Sequence, residues 1–148
     1  MANLKGTYAL VLVLEKDTVI SVGRLATCSF PAGYYVYLGS ALGGLFPRVR
    51  RHIRGGDRMH WHIDYLRRHA GVVEVWYKVS DERLECSWQV AAMGMPSAST
   101  PVAGFGSSGC ACRSHLIHYA SMPSLETFSR RLGAGGSDLQ RMLPSPDV

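Results

Sequence analysis

A chain of 148 residues, 47% hydrophobic and 18% charged, can bury one compact core but is too short for two ordinary domains. That apolar fraction excludes a disordered or fibrous chain, and the apolar run Ala9 to Leu14 ends after six residues, far below the roughly 20 that a membrane-spanning helix needs. The formal charge of +5 comes from 13 Arg and three Lys against 11 acids, a balance that favours anionic partners.

In chain order, residues 7–14 (TYALVLVL) are apolar at successive positions, which predicts a central strand covered on both faces. Glu15, Lys16 and Asp17 end the run without a small-residue cleavage pattern, so the expected location is cytoplasmic. Residues 15–18 read as a polar turn from which Val19 to Val22 can return antiparallel to the first strand. After a bend at Pro31, Ala32 and Gly33, residues 34–38 (YYVYL) form a strand with Tyr35 and Tyr37 on one face. Gly39, Gly43 and Gly44 then release the chain into a helix. Leu45, Val49 and Ile53 recur every fourth residue, Pro47 suits the first turn, and Gly55 with Gly56 stops it. Asp57 is positioned to cap a second helix with Met59, Ile63, Leu66 and Ala70 inward.

Val72 to Val79 read as a further strand, and Ser80, Asp81 and Glu82 as the start of a third helix whose inner stripe is Leu84, Trp88, Ala91 and Met95. Residues 96–109 are loop-like, residues 112–122 can pair with the sheet, and residues 125–132 suit a short helix. The expected organisation is one domain over residues 1–132 with a flexible tail over 133–148. The fold class is α+β, a small, mainly antiparallel sheet with helices packed around it.

Residues 48–69 concentrate seven Arg and four of the six His against Asp57 and Asp64 alone, the electrostatic footprint of a phosphate-bearing partner or else a solvated face. Within it, Arg48 and His52 are four apart and share one helical face. His60 and His62 point about 200° apart on a helix and cannot ligate one ion together, whereas His60 and Asp64 can share a face. His62 and Asp64 therefore read as residues supporting the wall of a site. The four cysteines are too few and too unevenly spaced for a disulfide scaffold and are expected as reduced thiols. Cys110, Cys112 and His115, with Cys86 as a fourth ligand, make an incomplete zinc pattern, and small apolar filler is the competing reading. Residues 104–109 (GFGSSG) form either a backbone anion nest or an ordinary turn.

Gly6, Thr7 and Tyr8 entering one strand, Tyr37, Leu38 and Gly39 leaving another, then Arg48 and His52 on the next helix, resemble the GIY-YIG nuclease superfamily. Residues 32–41 (AGYYVYLGSA), 60–66 (HWHIDYL), Glu85 with Cys86, and residues 104–108 (GFGSS) resemble its compact, uncharacterised branch over Gly6 to about Leu116. Some relatives in that branch are fused to a DNA-repair glycosylase. The resemblance implies a catalytic group of Tyr8, Tyr37, Arg48 and His52, with Glu85 holding one Mg²⁺ or Mn²⁺ ion. It also implies structural glycines at Gly6 and Gly39, the latter letting the strand turn. Three departures stand out: 28 residues separate Tyr8 from Tyr37, Gly109 occupies an acidic position, and Ser40 replaces a basic residue.

The implied activity is metal-dependent phosphodiester hydrolysis on nucleic acid, DNA by the glycosylase fusions, though the residues themselves read alike for DNA and RNA. Arg50, Arg51, Arg54 and Arg58 are the expected phosphate contacts. In such chemistry a carboxylate holds the ion, an arginine stabilises the phosphorane, and a phenol orients or deprotonates the attacking water. Two other readings compete: a nucleic-acid-binding module without chemistry, and a zinc-stabilised adaptor.

Overall fold

The computed structural model describes residues 4–56, 58–107, 112–136 and 138–144. Strand β1 (Gly6–Leu14) lies at the centre of a five-stranded sheet. It is flanked by β4 (Gly33–Ala41) and β5 (Gly71–Val79), with β6 (Leu116–Tyr119) and β7 (Gln140–Met142) at the edges. Every pairing in the sheet is antiparallel, so the architecture is α+β as the composition of the elements suggested.

The unbroken apolar run of β1 follows from its having two buried faces. Tyr8, Leu10, Leu12 and Leu14 point into a core shared with α1 (Leu45–Arg54) and α2 (His62–Arg67). Ala9 and Val11 point the other way, into a second core with α3 (Glu85–Met93) and α4 (Leu125–Leu132). Period-two alternation therefore distributes residues 8–12 of β1 between two apolar layers. Helix α1 buries Leu45, Val49 and Ile53, and Gly55 (φ 71°) closes it in the left-handed conformation, its N–H bonding Arg51 O at 2.9 Å. In α4, Ser124 caps the helix by accepting from Thr127 N, and Phe128 packs between Trp76 and Trp88.

Four expectations are corrected. Residues 19–22 do not return along β1. Strand β2 (Thr18–Ser21) pairs instead with β3 (Thr27–Phe30) in a separate two-stranded sheet, because both edges of β1 are occupied by β4 and β5. The second helix starts at His62, later than expected, so Met59 precedes it and is not on its inner face; Asp57 lies outside the described residues. The third helix starts at Glu85 with Leu84 as its N-cap, while Ser80 Oγ accepts from Glu82 N in a preceding turn. Residues 133–136 form a 3-10 turn and Gln140–Met142 pair with β5 at Val75 to Tyr77, so the described part of the expected tail completes a sheet edge.

Among the described residues no helix is long and apolar enough to cross a membrane.

Candidate active site

The antiparallel register places Tyr8 of β1 opposite Gly39 of β4 and beside Tyr77 of β5. The described chain continues as strand through Gly39 to Ala41, so Gly39 does not turn the strand. Its role is space: a Cβ there would stand 2.5 Å from the Tyr8 hydroxyl and 2.6 Å from its Cζ. Gly6 is similarly crowded, with the Lys78 carbonyl oxygen 2.5 Å from a built Cβ. Because Tyr8 is 1% exposed and cannot swing into solvent, Gly39→Ala is expected to cost about 1–3 kcal/mol by overpacking. Gly43→Ala, where a Cβ meets open space, serves as the near-neutral control. Urea midpoints of the two variants check the difference.

Tyr8 Oη lies 2.8 Å from His52 Nε2, one turn of α1 beyond Arg48. The His52 ring also stands edge-on to Tyr37 and Trp61. His52 is buried, and its Nδ1 has no hydrogen-bond partner among the described residues. Burial lowers its pKa to about 4, with Asp64 opposing and Arg48 and Arg51 adding to the fall. The imidazole is therefore neutral at neutral pH. Burial pushes the Tyr8 phenol up to about 12, with Arg48 opposing, and holds Tyr37 well above its ordinary value in the same way. Tyr8 is thus suited to donate a hydrogen bond and unsuited to act as a free phenolate.

A folded-state pKa below the ordinary 6.5 means the unfolded chain binds the His52 proton more readily. Stability contributed by neutral His52 is complete above pH 6.5 and is lost as the pH falls toward 4. The full effect is about 3 kcal/mol at 1.36 kcal/mol per pKa unit. His52→Gln keeps a polar group for Tyr8 and is expected to flatten the fall in stability across this window by up to about one proton. Urea denaturation at several pH values measures that slope.

Glu85, the first residue of α3, enters the same cleft. Its Oε2 accepts a hydrogen bond from the Ser40 hydroxyl, Ser40 Oγ lies 3.1 Å from Thr7 Oγ1, and Thr7 Oγ1 in turn accepts from Leu84 N at 3.2 Å. This chain of hydroxyls joins β1, β4 and the start of α3, and fixes the carboxylate. Ser40, where the resemblance expects a basic residue, thus bonds the Glu85 carboxylate. Arg48 Nη1 reaches Ser40 O at 3.5 Å, and its guanidinium lies 4.5 Å from the Trp61 ring centre. Tyr8, Tyr37, Ser40, Arg48, Arg83 and Glu85 together line a cleft of about 200 Å³, with Trp61, Gly106 and His115 at its edge. Sequence reasoning singled out Tyr8, Tyr37, Arg48 and Glu85. It gave no role to Ser40, Trp61 or Arg83, whose positions depend on contacts distant in sequence.

The supporting residues divide sharply. His62 Nδ1 accepts from Gly106 N at 2.9 Å and so holds the loop at Gly106 (φ 69°) against Tyr37. Asp64 accepts the N–H groups of His60 and Trp61 and is bridged by Arg51 at 3.0 and 3.2 Å. Burial opposes the charge on Asp64, but those two N–H groups and Arg51 outweigh it and hold the carboxyl below its ordinary value. Asp64 ties α2 to α1 and does not reach the cleft lining.

An arginine-rich depression of about 280 Å³ lies beside Asp64. Arg67 is spent there on the carbonyls of His52, Ile53 and Ala70, closing the end of α1. Arg51, expected as a phosphate contact, bonds Asp64 and the Arg58 carbonyl while still lining the depression. Arg50, Arg54, Arg58 and Arg68 remain exposed.

Next to Glu85, Cys86, Cys112 and His115 bring their ligand atoms within 4.8 Å of one another. Cys110, Ser108 and Gly109 lie outside the described residues. The model of the family described as "Domain of unknown function DUF123" matches residues 7–135. This chain belongs to the DUF123 family. The DUF123 match spans β1 through the 3-10 turn after α4 and therefore every residue of the cleft. Neither a curated protein nor a solved structure matches this DUF123 chain.

Proposed function

We propose that this DUF123 domain binds nucleic acid, DNA in the first instance, and hydrolyses its backbone with one Mg²⁺ or Mn²⁺ ion, in the manner of the GIY-YIG nucleases it resembles. The observation that carries the reading is the convergence of Tyr8, Tyr37, Arg48 and Glu85, from four separate elements, on one cleft beside an exposed arginine face.

The residues suit such an ion. A hard divalent cation takes one or two carboxylates and completes its shell with water and phosphate oxygens. Glu85 offers one half-buried carboxylate, oriented by Ser40. When bound, the ion supplies Lewis acidity to a phosphoryl oxygen and lowers the pKa of its water. Arg48 faces the same space with a planar fork suited to the charge that develops on phosphorus. Tyr8 orients the attacking water by donating or accepting a hydrogen bond, and His52 fixes the rotation of its phenol. Tyr37 walls the cleft and, through Gly106, is packed against the loop that His62 holds.

A screen of branched, single-stranded and duplex substrates with Mg²⁺, Mn²⁺ or chelator tests the reading. Cleavage that requires the metal supports it. Binding without cleavage of any substrate replaces it with a non-catalytic nucleic-acid module, which the deep burial of Tyr8 and Tyr37 favours.

The exposed arginines carry a separate expectation. Each phosphate contact contributes about −0.9 to the slope of log affinity against log salt on duplex DNA. Arg54→Glu with Arg58→Glu is expected to flatten that slope by about two contacts. Arg51→Glu, which sets two carboxylates together at Asp64, is expected instead to lower stability. Salt titrations by fluorescence anisotropy, with urea midpoints alongside, separate the two outcomes.

A further inference from the structure

We propose that Cys86, Cys112 and His115 form a Zn²⁺ site that ties the start of α3 to the segment leading into β6. The site does not rest on the phosphodiester reading; His115 lines the cleft but has no role in that chemistry.

Cys86 is the second residue of α3, and Cys112 and His115 precede β6. The three ligand atoms all lie within 4.8 Å of one another, and Cys86 Sγ is 3.9 Å from His115 Nε2. Tetrahedral Zn²⁺, with bonds of about 2.3 Å to sulfur and 2.0–2.1 Å to nitrogen, sets S···N edges near ~3.5 Å and S···S edges near ~3.8 Å. Side-chain closure of about 1 Å or less reaches that geometry, with no movement of a strand required.

The backbone that presents His115 is held on both sides. His115 N donates to Phe105 O at 2.8 Å, His115 O accepts from Leu38 N at 2.9 Å, and Gly104 N bonds Arg113 O at 2.7 Å. His115 is buried, and its backbone position is set by β4 and by the 104–107 loop, which presents its ring toward Cys86 at the start of α3. Such fixed backbones are what distinguish a built site from a chance meeting of surface groups.

The donor chemistry selects the ion. Two thiolates and an imidazole suit Zn²⁺ and are poor ligands for the hard cations that Glu85 suits, although Glu85 and Cys86 are neighbours. The adjacent positions thus sort two kinds of metal by softness. Thiolate coordination also gives the chain a cross-link between α3, packed on one face of the sheet, and the edge strand β6, in a protein small enough to benefit from one.

The test uses the full chain, purified without chelator, supplied with Zn²⁺ and desalted. About one equivalent of zinc is expected to remain. Alkylation mapped by peptide mass spectrometry is expected to accelerate at least about tenfold at Cys86 and Cys112 after chelation, because only the uncoordinated thiolate is free to react. Cys28, in β3 and away from the cluster, is the internal reference and keeps its rate. Failure to retain zinc, or equal alkylation of Cys86 and Cys112 with and without chelator, overturns the proposal. If chelation unmasks Cys28 as well, Co²⁺ replacement in the native protein decides. A thiolate-to-Co²⁺ charge-transfer band that is reduced in C86S supports the site, and its absence from the parent protein overturns it.

Discussion

Arg48→Lys is expected to lower the single-turnover cleavage rate at saturating substrate about 10²–10³-fold while affinity stays near that of the parent. Arg48 is half-buried on α1, shares a helical face with His52, and lies over Trp61 with its fork toward Ser40 and the cleft. Lysine keeps the charge but loses the planar, bidentate donors and the stacking on the indole. A group that meets only ground-state phosphate changes affinity and leaves the saturated rate alone; one aimed at developing charge does the reverse. Weaker binding with an intact rate would move Arg48 into the binding face with Arg50 and Arg54. Arg51 also lies over Trp61, at 4.6 Å, and keeps the indole supported in the variant, so the change reads on chemistry and not on collapse of the wall.

The sheet was legible where local pattern and long-range partners agree. In β1 the continuous apolar run has one cause, burial on both faces, and no competing local signal. The spacing of Leu45, Val49 and Ile53 is likewise local, and α1 and the short helix over 125–132 lie where the pattern puts them. The pairing of residues 19–22 was misread because a polar turn after a strand suggests a hairpin, whereas the neighbours of β1 come from residues 33–41 and 71–79. Strand β7 has three residues of mixed polarity and is held by backbone pairing, which carries no side-chain period.

The candidate site divides in the same way. Tyr8, Tyr37, Arg48 and Glu85 were picked out by an ordered resemblance, not by periodicity. Their mutual approach depends on register: Tyr8 meets Gly39 only because β1 and β4 pair as they do. Ser40 read as a missing cation because its tie to Glu85 crosses 45 residues. Asp64 and Arg51 read as site and interface, yet their charges are spent on each other and on two N–H groups. A charged side chain shows in sequence that it is charged, but whether an internal partner already claims it is a property of the fold.

Glu85→Gln is expected to remove metal-dependent cleavage while leaving the fold intact. The amide keeps the shape of the carboxylate and can still meet the Ser40 hydroxyl, and Glu85 is only half-buried, so the urea midpoint should correspond to a change within about 0.5 kcal/mol. What disappears is the negative charge that holds a hard cation, together with the several kcal/mol of charge stabilisation such an ion contributes. The cleavage rate should therefore fall about 10³-fold or more. Ser40→Ala provides the intermediate case. It keeps the carboxylate but releases it from the Thr7–Ser40 tether, so activity should survive with a metal requirement raised about 10–100-fold. A metal titration distinguishes the two: Ser40→Ala recovers at high Mg²⁺ and Glu85→Gln does not. Any zinc retained at the proposed Cys86, Cys112 and His115 site should match the parent in both variants, which separates loss of the hard-metal position from loss of the neighbouring thiolate cluster. If Glu85→Gln cleaves as fast as the parent at every Mg²⁺ concentration, Glu85 is not the metal ligand and its carboxylate serves only to join α3 to β4.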